Sequence, residues 1–168
     1  VPHPLFADGE PALLVTGAGV YEEMQFTGDG PALLPELTER WLLREGRSLT
    51  ISWNAPPEGA RTSVVAKMNV DQHGSSPVVL ECEFADTGSG VVGAEMVQAL
   101  LDAGISGYPN GSLMRRTADK VSVAAGCLDF VMASVQTATV RISGVTPCDE
   151  DGDCPDGQTC DLTVHLCH

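Results

Sequence analysis

The sequence predicts a mainly β protein: an antiparallel β-sandwich with one or two short helices in its connections, followed by a small disulfide-rich C-terminal tail. Three observations carry this expectation. Apolar and polar residues alternate over residues 48–54 and 78–84, which is the period of a half-buried strand. Eighteen glycines and 11 prolines imply many turns and favour a sandwich over a helical bundle. Six cysteines are present, and four of them follow residue 147.

The elements are expected in a simple order along the chain. Residues 1–12 carry three prolines and predict an exposed lead-in. The sandwich domain is expected over residues 13–145, and the cysteine-rich module over 146–168. Apolar runs and alternating patterns predict strands over residues 12–21, 48–54, 62–70, 78–84, 113–117, 121–125, 127–135 and 137–142.

Two segments have helical patterns. Residues 35–45 begin with a proline and are followed by Gly46, which predicts a helix, with a short extended segment as the alternative. Residues 94–103 predict a second helix that ends before Gly104. Its apolar face is expected to hold four residues: Met96, Val97, Leu100 and Leu101.

Charge and cysteine usage limit the compartment and the partners. A net charge of −14 repels a phosphate backbone and an anionic lipid surface, which disfavours nucleic acid as a partner. No apolar run reaches the length of a transmembrane helix. An even cysteine count without any CxxC favours disulfides over zinc and therefore an oxidising compartment. We expect a processed secreted, periplasmic or cell-surface protein, a location that is compatible with a lipid anchor upstream of Val1.

The tail is too short to build an apolar core, so disulfides must define its fold. Its four cysteines allow three pairings. Alternating connectivity, Cys148–Cys160 and Cys154–Cys167, is typical of such small modules.

Cys82 and Cys127 are left as a further pair, and the count makes a bond across the sheets attractive. Strand alternation opposes it, because Leu128 and Phe130 should face inward and turn Cys127 away unless a bulge occurs at Gly126. Both alternatives stay open from the sequence.

Acidic residues alternate at the start of the tail, at Asp149, Asp151 and Asp153. Oxygen ligands at alternate positions suit calcium and resemble the start of a calcium loop or a thrombospondin type 3 repeat. The EF-hand pattern fails, because Cys160 stands where the twelfth-position Glu should be. Either a calcium-stabilised stalk or a disulfide-bonded loop with solvated carboxylates accounts for the pattern.

Asp86 lies in a DTGS string, which carries the active aspartate in pepsin-like proteases. Such enzymes need two aspartates that share a proton and activate water. One copy could act only in a homodimer, and Glu83 and Ala85 interrupt the apolar run that normally precedes the motif. The alternative is a glycine-rich turn in which Asp86 bonds local backbone amides. We expect the turn, with the aspartic-type protease as the competing hypothesis.

Two stretches carry a family resemblance. The segment SLTISWNAPPEG resembles the strand B region of fibronectin type III and immunoglobulin-like domains. The tail, C-x5-CPxGQxC-x6-C, resembles Dickkopf-like cysteine-rich segments, and the body from about residue 48 to 148 resembles uncharacterised secreted bacterial β-sandwich domains and lipoproteins. The resemblance implies a sandwich without an established activity. The sequence therefore predicts a non-enzymatic extracellular domain that binds an unidentified protein or cell-surface ligand.

Overall fold

The computed structural model describes residues 9–17, 23–70, 78–123 and 126–168. In these ranges the chain forms strands, a single α-helix and a 3-10 turn at Asp151–Asp153. The elements are β1 (Pro11–Thr16), β2 (Met24–Asp29), β3 (Trp41–Leu43), β4 (Leu49–Ser52), β5 (Ser63–Asn69), β6 (Val79–Ala85), β7 (Ser89–Val92), α1 (Ala94–Asp102), β8 (Asn110–Val123), β9 (Gly126–Ile142), β10 (Cys160–Asp161) and β11 (Leu166–Cys167).

A five-stranded sheet organises the fold, in the order β3-β9-β8-β5-β6. Its strands are antiparallel except β3, which pairs in parallel with the end of β9. The long β8–β9 hairpin supplies the centre of the sheet and extends past the ends of β5 and β6.

One face of this sheet is covered by the antiparallel β4–β7 pair and by α1. Alternation along each strand sends every second residue into the space between the two layers. The largest fully buried apolar side chains there include Leu43, Ile51, Met68 and Leu113. The same alternation leaves the opposite face of the sheet to the remaining residues, and we call this the outer face.

The β1–β2 hairpin packs on the covered side of the sheet, against the far end of the β8–β9 hairpin. The rings of Phe26 and Phe130 lie 5.9 Å apart between their centroids. Gly28 lets β2 approach closely, since a Cβ at this position would lie 3.1 Å from the Met132 sulfur.

The C-terminal tail docks on the loop that follows α1. The Gly107 amide donates to the Val164 carbonyl at 2.8 Å, and the Tyr108 hydroxyl donates to Asp149 Oδ2 at 2.9 Å. Cys148 is fully buried at this junction.

The mainly β class with a helix and a disulfide-rich tail is confirmed. The helix at 94–103 is observed at Ala94–Asp102, with Val97, Leu100 and Leu101 buried, although Met96 is exposed. No helix in the described part of the chain is long and apolar enough to span a membrane. Residues 71–77 and most of the predicted lead-in lie outside the described residues.

The helix predicted over residues 35–45 is wrong, and the extended alternative is what forms. Trp41 and Leu43 are buried while Leu42 is exposed, so the segment follows a period of two as β3. Its parallel pairing with β9 supplies backbone partners from a segment about a hundred residues away, which overrides a local helical preference.

The four strands predicted between residues 113 and 142 form only two long strands, β8 and β9. The segments 113–117 and 121–125 belong to β8, and 127–135 and 137–142 belong to β9, apart from residues 124–125, which are not described. Gln136 breaks the apolar pattern of β9 without ending the strand. Its amide nitrogen donates to the Leu34 carbonyl at 2.9 Å, so the polar group is satisfied on the covered side.

We predict that Gly111→Ala destabilises the fold. A Cβ at this position would lie 2.9 Å from Val140 Cγ2 and 3.0 Å from both the Lys67 carbonyl oxygen and Trp41 Cζ3. Overpacking of this kind costs about 1–3 kcal/mol of the free energy of unfolding, which urea denaturation measures.

The matched control is Gly152→Ala, where the nearest atom to the new Cβ is Glu150 Oε1 at 3.7 Å. Equal losses in the two variants would mean that crowding at Gly111 is not the cause.

Candidate functional site

The DTGS string forms the tight turn between β6 and β7. Gly88 has a φ of +97°, in the left-handed region that favours glycine. Its carbonyl accepts a hydrogen bond from the Trp53 amide at 2.9 Å, which fastens the turn to the end of β4. The expectation of a turn is therefore met, and the surroundings of Asp86 show what the turn holds.

Asp86 forms a buried ion pair with Arg115. Arg115 Nε donates to Asp86 Oδ2 at 2.6 Å, and Arg115 Nη2 donates to Oδ1 at 3.2 Å. The two side chains are 2% and 0% exposed. The fork-to-fork geometry is that of the strongest class of side-chain hydrogen bond.

Two further side chains donate hydrogen bonds to the Asp86 carboxylate. Trp53 Nε1 donates to Asp86 Oδ1 at 2.7 Å, and Thr62 Oγ1 donates to Oδ2 at 2.6 Å. Both oxygens of Asp86 thus accept two hydrogen bonds each, all from side chains that are distant in sequence. The expected bonds to local backbone amides are replaced by these long-range contacts.

The remaining donors of Arg115 reach backbone carbonyls. Nη1 donates to the Ala32 carbonyl at 3.0 Å, and Nη2 donates to the Asn54 carbonyl. No buried side-chain nitrogen or oxygen in the described ranges lacks a partner. We call this cluster of Asp86, Arg115, Trp53 and Thr62 the Asp86–Arg115 clamp.

The clamp keeps Asp86 ionised. Burial by itself would raise the pKa of the Asp86 carboxyl, but the hydrogen bonds from Arg115, Thr62 and Trp53 and the charge of Arg115 together lower it below its usual value. A general acid or base must reach its substrate, whereas the Asp86 side chain is 2% exposed and each of its oxygens already accepts two hydrogen bonds. The geometry assigns Asp86 a structural role.

Arg115 was missed as a partner by sequence reasoning. The sequence did contain a signal for this partner. Arg115 follows Leu113 by two positions, and residues at that spacing share a strand face. If Leu113 faces the core, the charge of Arg115 must enter the core as well. Buried charges need a counter-ion, and Asp86, which follows β6 two strands away in the sheet, is a candidate.

The tail holds two disulfides, Cys148–Cys160 and Cys154–Cys167, in the alternating connectivity. The sulfurs of Cys148, Cys154 and Cys167 lie within 4.8 Å of one another, the only such group of potential metal ligands in the described chain. Because all three are oxidised in disulfides, they offer no thiolate to a metal.

Of the two alternatives for Cys82 and Cys127, the bond does not form, and both cysteines are free. Cys82 lies on β6 at the level of Gln136 on β9, as the registers across the sheet show. Cys127 lies nine positions before Gln136 in β9. At roughly 3.3 Å per residue this separates Cys127 from the level of Cys82 by about 30 Å, far beyond disulfide reach.

The tail aspartates serve as local hydrogen-bond acceptors. Asp151 Oδ1 accepts from the Cys160 amide at 2.8 Å, and Asp153 Oδ2 accepts from the Asp149 and Glu150 amides at 2.8 and 3.2 Å. Asp149 itself accepts from Tyr108 and lies 3.3 Å from His165 Nδ1. These bonds stabilise the loop between the cysteines, and calcium binding by the three aspartates stays a prediction.

A cleft of about 760 Å³ opens beside the clamp, where Thr62 and Ala32 line its wall. Arg61 lines both this cleft and an adjoining one of about 510 Å³ along β1 and β2. The walls are mostly small and neutral residues, and their charged residues are Arg61 and the acidic Asp29, Glu58 and Asp119. The cleft has no converging set of catalytic groups among the described residues.

Comparisons with models of protein families, with curated proteins and with solved structures found no match.

We predict that Asp86→Asn strongly destabilises the protein, because it leaves the Arg115 charge buried without a counter-ion. Breaking a buried pair costs roughly 3–5 kcal/mol, whereas an exposed pair contributes less than about 1 kcal/mol. Urea unfolding of Asp86→Asn beside Glu81→Gln tests this, since Glu81 forms an exposed ion pair with Lys67. Similar losses in both variants would contradict a structural role of the clamp.

We also predict that the clamp weakens in acid. The folded-state pKa of Asp86 lies below its unfolded value of about 3.9, so its contribution is complete above that pH and is lost as the pH falls through the folded pKa. The stability difference between wild type and Asp86→Asn should therefore shrink between pH 6 and pH 3. A difference that stays constant over this range would mean that the Asp86 charge is not responsible.

Proposed function

We propose that this chain is a non-enzymatic extracellular or cell-surface domain that binds a protein partner through the outer face of its five-stranded sheet. The observation that carries the proposal is this face itself. Val131 and Val135 on β9 are left exposed on this face by the described elements, and its margin carries ion pairs. In order from β6 to β9, the outer face includes Val79, Glu81, Glu83, Val65, Lys67, Met114, Arg116, Val131, Ala133 and Val135.

The apolar part follows β9 and its neighbours. Val131 and Val135 are exposed, and Val135 lies directly opposite Met114 on β8. Val65 continues this row on β5 and is fully buried among its neighbours. A contiguous apolar patch on a folded surface is a common mark of a protein-binding site.

Ion pairs flank this row. Lys67 Nζ lies 2.8 Å from Glu81 Oε2, and Arg116 Nη2 lies 3.0 Å from Glu83 Oε1. An apolar centre with a polar margin is the usual anatomy of a protein interface. Because the positive and negative side chains on this face are paired, the face repels an approaching acidic partner less than the net charge of −14 alone would.

The absence of enzyme activity in this proposal is supported by the clamp, in which the motif aspartate is bonded to Arg115 instead of facing a cleft. The extracellular location is supported by two disulfides, which persist in oxidising compartments. The resemblance of the sequence to secreted bacterial β-sandwich domains is a further reason for proposing this location.

The binding surface is tested with Val135→Glu and Val91→Glu. Both valines are exposed, 55% and 60%, but Val91 lies on β7, away from the outer face. Surface and secreted proteins of the source organism are captured on the immobilised chain, and each purified candidate is titrated by calorimetry. We expect Val135→Glu to weaken binding about tenfold or more, a loss of about 1.4 kcal/mol, and Val91→Glu to bind as the wild type does. Equal affinity in both variants would remove the outer face from the proposal.

Enzyme activity is tested separately, with unfolded casein at acidic pH. We expect no cleavage by the wild-type chain. Cleavage by the folded wild-type chain, copurifying with it through successive columns, would overturn the non-enzymatic assignment.

A further inference from the structure

The β1–β2 hairpin has a sheet edge with no partner strand in the described part of the chain. β1 pairs only with β2, over the register from Pro11–Asp29 to Thr16–Met24. We call the opposite side of β1 the free edge. An unpaired edge presents a row of backbone donors and acceptors that can accept another strand.

The hydrogen-bond pattern shows which backbone groups line the free edge. The Thr27 amide points away from β1, because it donates to Asp119 Oδ2 on β8 at 3.0 Å. Thr27 lies opposite Leu13, so this is a non-hydrogen-bonded pair of the hairpin, and the amide and carbonyl of Leu13 also point away from β2. Alternation places the backbone groups of Val15 on the same side.

Three consecutive side chains of β1 are apolar and exposed. Leu13, Leu14 and Val15 are 64%, 42% and 47% exposed, so both faces of the strand carry uncovered apolar surface. Residues 11–16 contain no charged group, in a chain whose net charge is −14.

The terminal strands of the five-stranded sheet are protected in ways that β1 is not. β6 carries Glu81 and Glu83 on its exposed side, and β3 is only three residues long. Charges and short length are two devices by which proteins prevent edge-to-edge association. β1 has neither device over its six residues.

We propose that β1 is a self-association strand, and that its free edge pairs in antiparallel fashion with β1 of a second copy of this chain. The pairing joins two hairpins into one four-stranded sheet about a two-fold axis, in which Leu13 and Val15 of each copy exchange backbone hydrogen bonds. A second copy fits best because the uncharged β1 brings no like charges together, although the rest of the two acidic chains repel each other. This proposal does not depend on the outer face.

Sedimentation of the full chain over a wide concentration range tests the proposal. We expect a reversible dimer for the wild type. Leu13→Glu should weaken the dimer about tenfold or more, because it places like charges across the two-fold axis. Leu162→Glu is the matched control, since Leu162 is 61% exposed on the tail and its substitution adds the same charge. A wild-type chain that stays monomeric, or a dimer that Leu13→Glu and Leu162→Glu change equally, would overturn the proposal.

Val15→Pro provides a second test that acts on the backbone. Proline removes the amide that points to the free edge and leaves the hydrogen bonds to β2 in place, as proline does in natural edge strands. We expect a folded monomer with an unchanged far-ultraviolet dichroism spectrum. A folded Val15→Pro that dimerises as the wild type does would show that β1 does not form the contact.

Discussion

The buried pair between Asp86 and Arg115 is the constraint on which the covered side of the sheet depends. Arg115 lies in the central strand β8, where a charge without partners would be very costly. Its guanidinium reaches the β6–β7 turn through Asp86, the segment before β3 through Ala32, and the end of β4 through Asn54. A single side chain thus joins the paired β4 and β7 region to the segment before β3.

The clamp also shows why a short motif does not determine chemistry. A DTGS turn can present its carboxylate to a second carboxylate, in which case the two share a proton. The same turn can present it to a guanidinium, in which case the carboxylate stays ionised and fixed, as it does here. The nearest charge decides between the two outcomes. That charge comes from a strand 29 residues away in the sequence, so the motif by itself does not carry the answer.

Local patterns in the sequence were sufficient for the strands at residues 48–54 and 78–84 and for the helix at Ala94–Asp102, because burial on one face produces their periodicity. Long-range contacts decided the rest. β3 pairs with β9, about a hundred residues away, and the Gln136 amide within β9 donates to the Leu34 carbonyl. Only one half of the clamp was predicted from the sequence, since Asp86 was singled out and Arg115 was not assigned as its partner. The failure of the Cys82–Cys127 pairing has the same origin, since strand register, which the cysteine count does not contain, places the two residues far apart.

The two proposed contact surfaces lie on opposite sides of the long β8–β9 hairpin. The β1–β2 hairpin packs on the covered side, against Phe130, whereas Val131 and Val135 point to the outer face. Pairing through β1 therefore leaves both outer faces of a dimer open. A dimer would present two identical binding faces, and a partner displayed repeatedly on a surface would then be held by both. Linked sites of this kind gain avidity of about 10²–10⁴-fold without any new contact, provided that both can be engaged together. A weak contact at each apolar row would thus be enough for stable attachment.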